Sequence, residues 1–381
     1  MSRLRIVVAG WVAGFPTAGF LWHPLAFALG FAELGHEAWF LEDSGDDPWG
    51  YDPATGEMDP SCAAGIRFLA EELGAVGLGD RWCYRHAPTG RCHGLSGAAL
   101  TEVLDQADLL VNVSLTTPMR PEYQRVPHRL AIDTDPVFTQ VRIARGDPVL
   151  GAVPSTHTRL FTYGRPPLPA QAHEWLPTRQ PVATRWWPVA GPPDPAAPLT
   201  SVTTWQAYPP VCWEGVEYAA KDRSFLELLD LPSRTQATLS LAMGAGIDHA
   251  EGASLLAAHG WQVTDPIDAT CSTGAYRRYI AGSLAELGLA KHGYVVSRSG
   301  WFSERTCLYL ASGRPAVVQD TGWTEWLPSG AGLLAFSTID QAVEAIESVR
   351  ADPAGHAAAA RRVAETHFDA ATVCQEILDR L

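Results

Sequence analysis

The segment 293–323 constrains the fold most strongly, because its sequence predicts two strands, one helix and two polar loops in close succession. The β-forming residues 294–296 precede a glycine-containing turn, after which Ser303 is placed to cap a helix. Gly313 ends that helix, and residues 316–318 form the next apolar strand. This order of elements is typical of a parallel α/β sheet wrapped by helices.

The loop ahead of this helix has the composition of an anion site. Unpaired N–H groups at the amino end of a helix, with the helix dipole behind them, favour a phosphate group. Arg298 adds a planar fork of donors that suits the same oxygens. We therefore expect a diphosphate here, held by Arg298, Ser303 and the backbone amides of 300–303, with Arg277 and Lys291 as further candidates for this clamp.

The residues Arg298-Ser299-Gly300-Trp301-Phe302-Ser303 resemble the His-Cys-Gly-Trp-Asn-Ser core of nucleotide-sugar-dependent glycosyltransferases of the two-domain GT-B fold. Residues 310–315 resemble the helix end and the following strand of that family. Two positions depart from the family pattern. Arg298 stands where the family has a phosphate-contacting histidine, and Glu304 lies a turn too early to match the family's glutamate. The resemblance implies a divergent branch, and the alternative is a Rossmann-like βαβ unit without a ligand.

The length of 381 residues suits two α/β domains better than one core. With the resemblance, it predicts two Rossmann-like domains that face each other across a cleft. We expect an acceptor-binding domain at 1–183, a nucleotide-sugar-binding domain at 184–355, and terminal helices at 356–381 that cross back to the first domain. A proline-rich stretch at 181–195 marks the hinge.

Charge and cysteine content restrict the partners and the compartment. A formal net charge of −14 disfavours nucleic acid, which is bound chiefly by clustered Lys and Arg. Seven scattered cysteines without a CxxC pair predict neither disulfides nor structural zinc. The sequence enters a strand within its first residues, without the pattern of a signal peptide, and no apolar run is long enough to span a membrane. We expect a cytoplasmic protein, and the oligomeric state stays open.

The position of the loop after the first strand suggests a second hypothesis, a dinucleotide-binding fold, but the sequence of the loop argues against it. Gly10 and Gly14 give GxxxG instead of GxGxxG, and the bulky Trp11 and Phe15 would block a pyrophosphate. In GT-B enzymes the equivalent loop faces the acceptor. The resemblance therefore implies an aromatic floor for the acceptor, although such clusters are also common in cores. Its members would be Trp11, Phe15, Phe20 and Trp22.

Asp133-Thr134-Asp135 follows a predicted strand, at the edge where α/β sheets place ligand-binding side chains. These three residues match the pattern of a DxD metal-binding motif, but they lie in the acceptor half, far in sequence from the phosphate loop. We therefore expect catalysis without a metal and without a cofactor besides the nucleotide sugar. The alternative role for both aspartates is to cap the turn before Pro136.

If the reaction inverts the sugar's configuration, the acceptor hydroxyl needs a base from the first domain. His23 is the leading candidate, because it lies near the start of the first helix, just after the aromatic loop. The family's base histidine would fall near Phe20 instead. Asp135 is the main competitor, and the alternative for His23 is packing against Trp22.

On the sugar side, the resemblance makes Asp320 the best match to an acidic residue that binds sugar hydroxyls, followed by Thr321 and Gly322. Trp205 is expected at the cleft wall, because it ends the first strand of the second domain. A helix opening at 276–280 is expected to carry Glu286 and Lys291.

The function implied is transfer of a sugar from a nucleoside-diphosphate sugar to a small-molecule or sugar-bearing acceptor. The alternatives are a nucleotide-sugar epimerase of the same fold and a catalytically silent nucleotide-binding protein.

Overall fold

The computed structural model describes residues 3–244 and 246–381. The first half of the chain contains ten strands: β1 (Arg5–Ala9), β2 (Glu37–Asp43), β3 (Gly50–Asp52), β4 (Glu57–Asp59), β5 (Trp82–His86), β6 (Arg91–Gly94), β7 (Leu109–Val113), β8 (His128–Asp133), β9 (Arg159–Thr162) and β10 (Leu176–Pro177). Its helices are α1 (Ala18–Glu33), α2 (Ala63–Ala75), α3 (Gly97–Asp105), α4 (Pro121–Gln124), α5 (Phe138–Ala144) and α6 (Val153–Thr156).

Eight of these strands form one sheet in the order β10-β9-β8-β7-β1-β2-β5-β6. Neighbouring strands run parallel except in the β5–β6 pair at the edge, which is antiparallel. Every residue of β7, Leu-Leu-Val-Asn-Val, is buried, as expected for a central parallel strand covered on both faces. Strands β3 and β4 form a separate hairpin.

The second half contains the strands β11 (Leu199–Thr204), β12 (Val211–Trp213), β13 (Val216–Tyr218), β14 (Leu239–Gly244), β15 (Gln262–Thr264), β16 (Ala285–Gly288), β17 (Ala316–Gln319) and β18 (Leu333–Phe336). Its helices are α7 (Lys221–Glu227), α8 (Leu231–Arg234), α9 (His249–Ala258), α10 (Pro266–Thr270), α11 (Thr273–Ala281), α12 (His292–Ser297), α13 (Glu304–Ala311), α14 (Ile339–Ala351), α15 (Pro353–His367) and α16 (Ala370–Leu378). A six-stranded parallel sheet has the order β15-β14-β11-β16-β17-β18, and β12–β13 is a hairpin.

The last helix packs on the first domain. The backbone around Val182 exchanges hydrogen bonds with the start of α16, through Phe368 O at 2.6 Å and Ala370 N at 3.0 Å. A side chain at Gly30 of α1 would approach within 2.6 Å of the Ala370 carbonyl oxygen, so the contact between α1 and α16 requires glycine there. Helix α16 thereby covers the apolar outer face of α1.

The segment 285–297 differs from the sequence expectation. Residues 294–296 lie in helix α12 instead of a strand, and the strand is β16. Glu286 is therefore in a strand, and Lys291 is the N-cap of α12, so the prediction of one helix carrying both is wrong. The following elements agree with expectation: α13 begins after Ser303, Gly313 adopts a φ of +68°, and β17 follows.

Within the described residues, no helix combines the length and apolar character that crossing a membrane requires.

Candidate functional site

Loops at the carboxyl ends of the two sheets contact each other and enclose a cleft. The indole N–H of Trp301 donates to the carbonyl oxygen of Thr134, at 3.1 Å. The backbone N–H of Arg165 donates to the carbonyl oxygen of Ser299, at 2.7 Å. The side-chain amide of Gln180 donates to the Phe302 carbonyl oxygen. These three bonds fix the loop 298–303 of the second domain against the first domain.

Asp135 joins the two domains through three hydrogen bonds. Its carboxylate accepts a hydrogen bond from the ammonium of Lys291 at 2.8 Å, and also from the hydroxyls of Tyr208 and Tyr294. The ammonium also lies 5.1 Å from the ring centre of Phe138, a cation–π distance. All three hydrogen-bond donors belong to the second domain, so Asp135 joins the domains.

Asp133 is fully buried and accepts hydrogen bonds from Thr139 at 2.6 Å, Gln140 at 2.9 Å and Thr162 at 2.8 Å. Burial raises the pKa of its carboxyl, and these donors act in the opposite direction. The residue braces the turn that presents Asp135. Nowhere in the described part of the chain do three His, Cys, Asp or Glu side chains come together as a metal site.

His23 lies in α1 on the first-domain side of the cleft. Its Nε2 is 2.9 Å from the hydroxyl of Tyr163, a distance for a hydrogen bond. The imidazole is surrounded by protein but keeps part of its surface open to solvent, as a group deep in a cleft does. Burial lowers its pKa, and the negative charge of Glu304 opposes that shift. The ring is therefore neutral at pH 7 and able to accept a proton.

Two charged residues of the second domain lie on the opposite side of the cleft. Glu304 is the first residue of α13 and is partly buried, and its charge acts on both His23 and Lys221. The ammonium of Lys221 donates to the hydroxyl of Thr203 at 3.1 Å. Burial first, then the positive charges of Arg305 and other cations, lower the pKa of Lys221 to about 7.

The buried pair of Arg305 and Glu286 holds the first turn of α13 on the sheet. The guanidinium Nε of Arg305 is 2.5 Å from the carboxylate of Glu286 on β16, and Nη1 donates to the carbonyl oxygen of Val202 at 2.9 Å. Because both charges are buried, loss of one partner would leave the other uncompensated. The pair thereby fixes the amino end of α13.

A cavity of about 10 Å³ lies beside the amino end of α13. It is enclosed by loops 288–290 and 318–321 and by residues 301–306. Thr306 is one of the lining residues, and its buried hydroxyl has no hydrogen-bond partner among the described residues. The amino end of this helix, with its N–H groups and positive dipole, therefore lies at the carboxyl edge of β16 and β17.

The structure places Arg298, the residue expected to clamp the diphosphate, beside two carboxylates. The residue ends α12 in a left-handed conformation, with a φ of +48°, and its side chain is 56% exposed. Its guanidinium contacts Glu325 at 2.8 Å and Asp320 at 3.7 Å. These carboxylates compensate the charge of the guanidinium group, and the clamp role of Arg298 stays a prediction.

The other residues expected at the donor side support the loops. Ser299, Ser303 and Thr321 are buried, and Ser303 makes no capping hydrogen bond. Asp320 accepts from the backbone N–H of Gly322 at 2.9 Å, which occupies one of its oxygens. Trp205 does not line the cleft, because it is buried in the second-domain core, stacked on Phe225.

The backbone of the same loop is also tied down. Gly300 donates its N–H to the Thr321 carbonyl oxygen at 2.8 Å, and its own carbonyl oxygen accepts from Trp326 at 2.9 Å. A left-handed φ of +72° at Gly300 permits this geometry.

Three of the four expected acceptor residues form an exposed aromatic cluster. Trp11 packs edge-on against Phe20 at 5.2 Å, and Phe15 stacks on Tyr51 of β3 at 4.9 Å. Trp11 is 37% exposed and Phe20 is 46% exposed. Buried Glu42 anchors this loop by accepting from the backbone N–H groups of 12–13 at 2.9–3.0 Å.

Trp22 lies apart from that cluster, because it is buried at the domain interface. Its indole N–H donates to Thr273 of α11 at 2.7 Å, and its ring packs against Trp187. Arg277 lies over both tryptophan rings and donates to the Trp186 carbonyl oxygen, so it supports the interface instead of the clamp.

Sequence reasoning missed Lys221, although a signal was present. The chain has only two lysines, Lys221 and Lys291, among 28 basic residues. Both lie in the cleft, where Lys291 binds Asp135. Burial lowers the pKa of Lys221 most, followed by the charge of Arg305 and then that of Lys291. Elsewhere arginine supplies the positive charge, so these two positions stand out by residue type alone.

Comparison with solved structures identifies the fold. The chain is similar over nearly its full length to an alpha-glucosyltransferase in complex with UDP and DNA containing an HMU base (TM-score 0.58, 11% identity, 100% of this chain and 99% of the other). It is also similar to HepE of Anabaena in complex with UDP-glucose (TM-score 0.57, 13% identity, 99% of both chains). A third similar structure is AviGT4, a glycosyltransferase involved in avilamycin A biosynthesis (TM-score 0.55, 13% identity, 99% and 96%).

These similarities confirm the predicted GT-B fold of two Rossmann-like domains. No protein family model matches the sequence, and no curated protein matches it either.

Proposed function

We propose that this chain is a glycosyltransferase that moves a sugar from a nucleoside-diphosphate sugar to a small-molecule or sugar-bearing acceptor. The observation that carries the proposal is that a cation and a helix amino end on one side of the cleft face a neutral imidazole on the other side. One side holds Lys221, Glu304 and the amino end of α13, and the other holds His23. A cation with a helix amino end suits a diphosphate, and a neutral imidazole suits a hydroxyl acceptor.

On the donor side, Lys221 and the first-turn N–H groups of α13 would neutralise the charge that develops on the leaving diphosphate. Glu304 would accept hydrogen bonds from hydroxyls of the transferred sugar. Solved structures of the same fold hold UDP or UDP-glucose, so UDP-glucose is the first donor to test.

On the acceptor side, His23 would act as the base. In this arrangement Nε2–H donates to the Tyr163 hydroxyl, and Nδ1 receives the acceptor's proton. The exposed rings of Trp11 and Phe20, with the half-buried Phe15, would bind a flat or sugar-bearing acceptor. Asp135 is less suited to the role of base, because three donors already occupy its carboxylate. A base on the acceptor side suits an inverting reaction, and we propose that outcome.

We further propose catalysis without a metal, since Lys221 and the amino end of α13 already provide positive charge for the leaving group. We also propose that the acceptor is not nucleic acid. One solved structure of this fold contains DNA, but the net charge of −14 here opposes binding of a polyanion.

The test is incubation with UDP-, dTDP- and GDP-sugars, with and without EDTA, followed by chromatography of the nucleotide products. A transferase releases the nucleoside diphosphate, at least slowly by hydrolysis, and EDTA leaves the rate unchanged. Conversion of one nucleotide sugar into another without release would favour an epimerase. Tight nucleotide binding with no turnover would favour a silent binding protein.

A further inference from the structure

A groove of about 610 Å³ lies on the first domain, between the edge hairpin β5–β6 and the amino-terminal half of α2. The hairpin contributes His86, Thr89, Arg91 and His93, and the segment 61–67 contributes the remaining lining residues. A groove of this size is in the usual range for small organic ligands.

The sheet alternation explains why the groove is basic. In β5 and β6, Tyr84, His86, Arg91 and His93 lie on one face, because Tyr84 pairs with His93 and His86 pairs with Arg91. Helix α2 covers the inner part of this face, where Tyr84 is buried. The edge strand β6 is left uncovered, so its arginine and histidine face the groove.

The positive charge of the groove is not compensated. Arg67 and Arg91 form neither an ion pair nor a side-chain hydrogen bond with any residue in the ranges 3–244 and 246–381, and no acidic residue of those ranges lines the groove. Asp59, just before the groove segment 61–67, accepts hydrogen bonds from the backbone N–H of Ser61, at 3.0 Å, and from the hydroxyl of Ser61. In a chain of net charge −14, two uncompensated guanidinium groups around one concavity favour an anionic ligand.

His86 is held rigidly at the same place. Its Nε2–H donates to the carbonyl oxygen of Pro60 at 3.0 Å, and its Nδ1 lies 2.8 Å from the hydroxyl of Thr89. Burial first, and then the positive charges of Arg91 and His86, lower the pKa of His93. The groove keeps the positive charge of Arg67 and Arg91 even when His93 is neutral.

We propose that this groove binds a phosphate or carboxylate group carried by an organic molecule of about the size of a sugar phosphate. Arg67 and Arg91 approach the anion from α2 and from β6, and their guanidinium groups supply the hydrogen-bond donors. None of the residues lining the groove belongs to the set that the proposed sugar transfer uses, and the site requires no step of that transfer.

The probes are three molecules of similar size: glucose 6-phosphate, glucuronate and glucose. Calorimetry on the full chain, with UDP present in excess to occupy the cleft, should show binding of glucose 6-phosphate or glucuronate and none of glucose. Arg67→Gln with Arg91→Gln should weaken that binding at least roughly tenfold, since hydrogen bonds to a charged group are lost. The two anions distinguish a phosphate site from a carboxylate site.

Arg362→Gln, at an exposed position on α15, is the matched control and should leave binding unchanged. Each single variant is measured as well, so that loss of folding in the double variant does not decide the result. Equal binding by wild type and the arginine variants would overturn the proposal, as would binding of neither anion or equal binding of glucose. Failure to bind UDP would count against the proposed transfer alone, because the comparison of the variants needs no donor.

Discussion

The carboxylate of Asp135, at the carboxyl edge of the first sheet, lies 2.8 Å from the ammonium of Lys291 in the second domain, although 156 positions separate the two residues in sequence. Tyr208 and Tyr294 donate to the same carboxylate. This one side chain therefore connects the two halves of the cleft.

Asp135→Asn should destabilise the protein more than it slows chemistry. The change leaves the ammonium of Lys291 in a mostly buried place without its countercharge, at a cost of about 1–3 kcal/mol. Urea unfolding would measure the loss. A large fall in turnover at unchanged stability would instead identify Asp135 as the base.

His23→Ala should reduce turnover by roughly 10²- to 10⁴-fold while leaving nucleotide affinity nearly unchanged, because the residue acts on the acceptor side. Burial lowers the pKa of His23, so activity should decline as the pH falls through values below the ordinary 6.5. Tyr163→Phe is the control, since it removes only the hydroxyl that orients the ring. Full activity in the His23 variant would exclude it as the base.

Lys221 should make nucleotide binding depend on pH. Its pKa of about 7 means that the amine is charged below pH 7 and neutral above it. A diphosphate favours the charged form, so its affinity should be full below pH 7 and fall as the pH rises through that value.

Lys221→Arg should remove this dependence, because arginine stays charged. Calorimetry of UDP binding at pH 6 to 9 would test both expectations. Arg298→Ala serves as the control, since its carboxylate partners already neutralise it, and should change affinity little. Strong loss in the Arg298 variant with none in the Lys221 variant would restore the clamp that the sequence indicates.

Glu42 should contribute a pH-dependent term to stability. Burial raises its pKa to about 8 in the folded protein, against 4.5 ordinarily, although backbone N–H groups from the aromatic loop act in the opposite direction. The folded state then binds more protons between these values, so stability should fall as the pH rises from about 4.5 to 8, by at most about 1.4 kcal/mol per pH unit. Glu42→Gln should show a flatter profile in thermal unfolding at a series of pH values.

Trp11→Ala and Phe20→Ala should raise the KM for the acceptor and leave donor affinity unchanged, because both rings are exposed on the proposed acceptor side. Leu226→Ala, an exposed apolar position on α7, is the control. Normal acceptor kinetics in both aromatic variants would show that the cluster only packs the loop.

The fold could be predicted because its signals are local: glycines at turns and short apolar strands alternating with helices. The segment 285–297 was mistaken because propensity competes with burial there. The β-forming residues 294–296 lie in a helix, while β16 contains a glutamate whose burial depends on Arg305, far away along the chain.

Site residues were harder to predict, since their partners meet only in three dimensions. Arg298 fits a phosphate loop in sequence, but Glu325 and Asp320 fold back onto it. Lys221 was missed because the hairpin β12–β13 separates it from the strand β11 that it serves, through Thr203. His23 and the aromatic loop were easier to place, because both lie close in sequence to the carboxyl end of β1.

The packing of α16 on α1 also bears on the biosynthesis of the protein. Residues up to about 182 emerge from the ribosome first, yet the apolar face of α1 around Gly30 is covered only by residues 370–378. At roughly 5–20 residues per second, that face waits roughly 10 to 40 s for its cover. The nascent first domain therefore exposes an apolar helix face during this interval, and we expect a chaperone that binds apolar segments to recognise it.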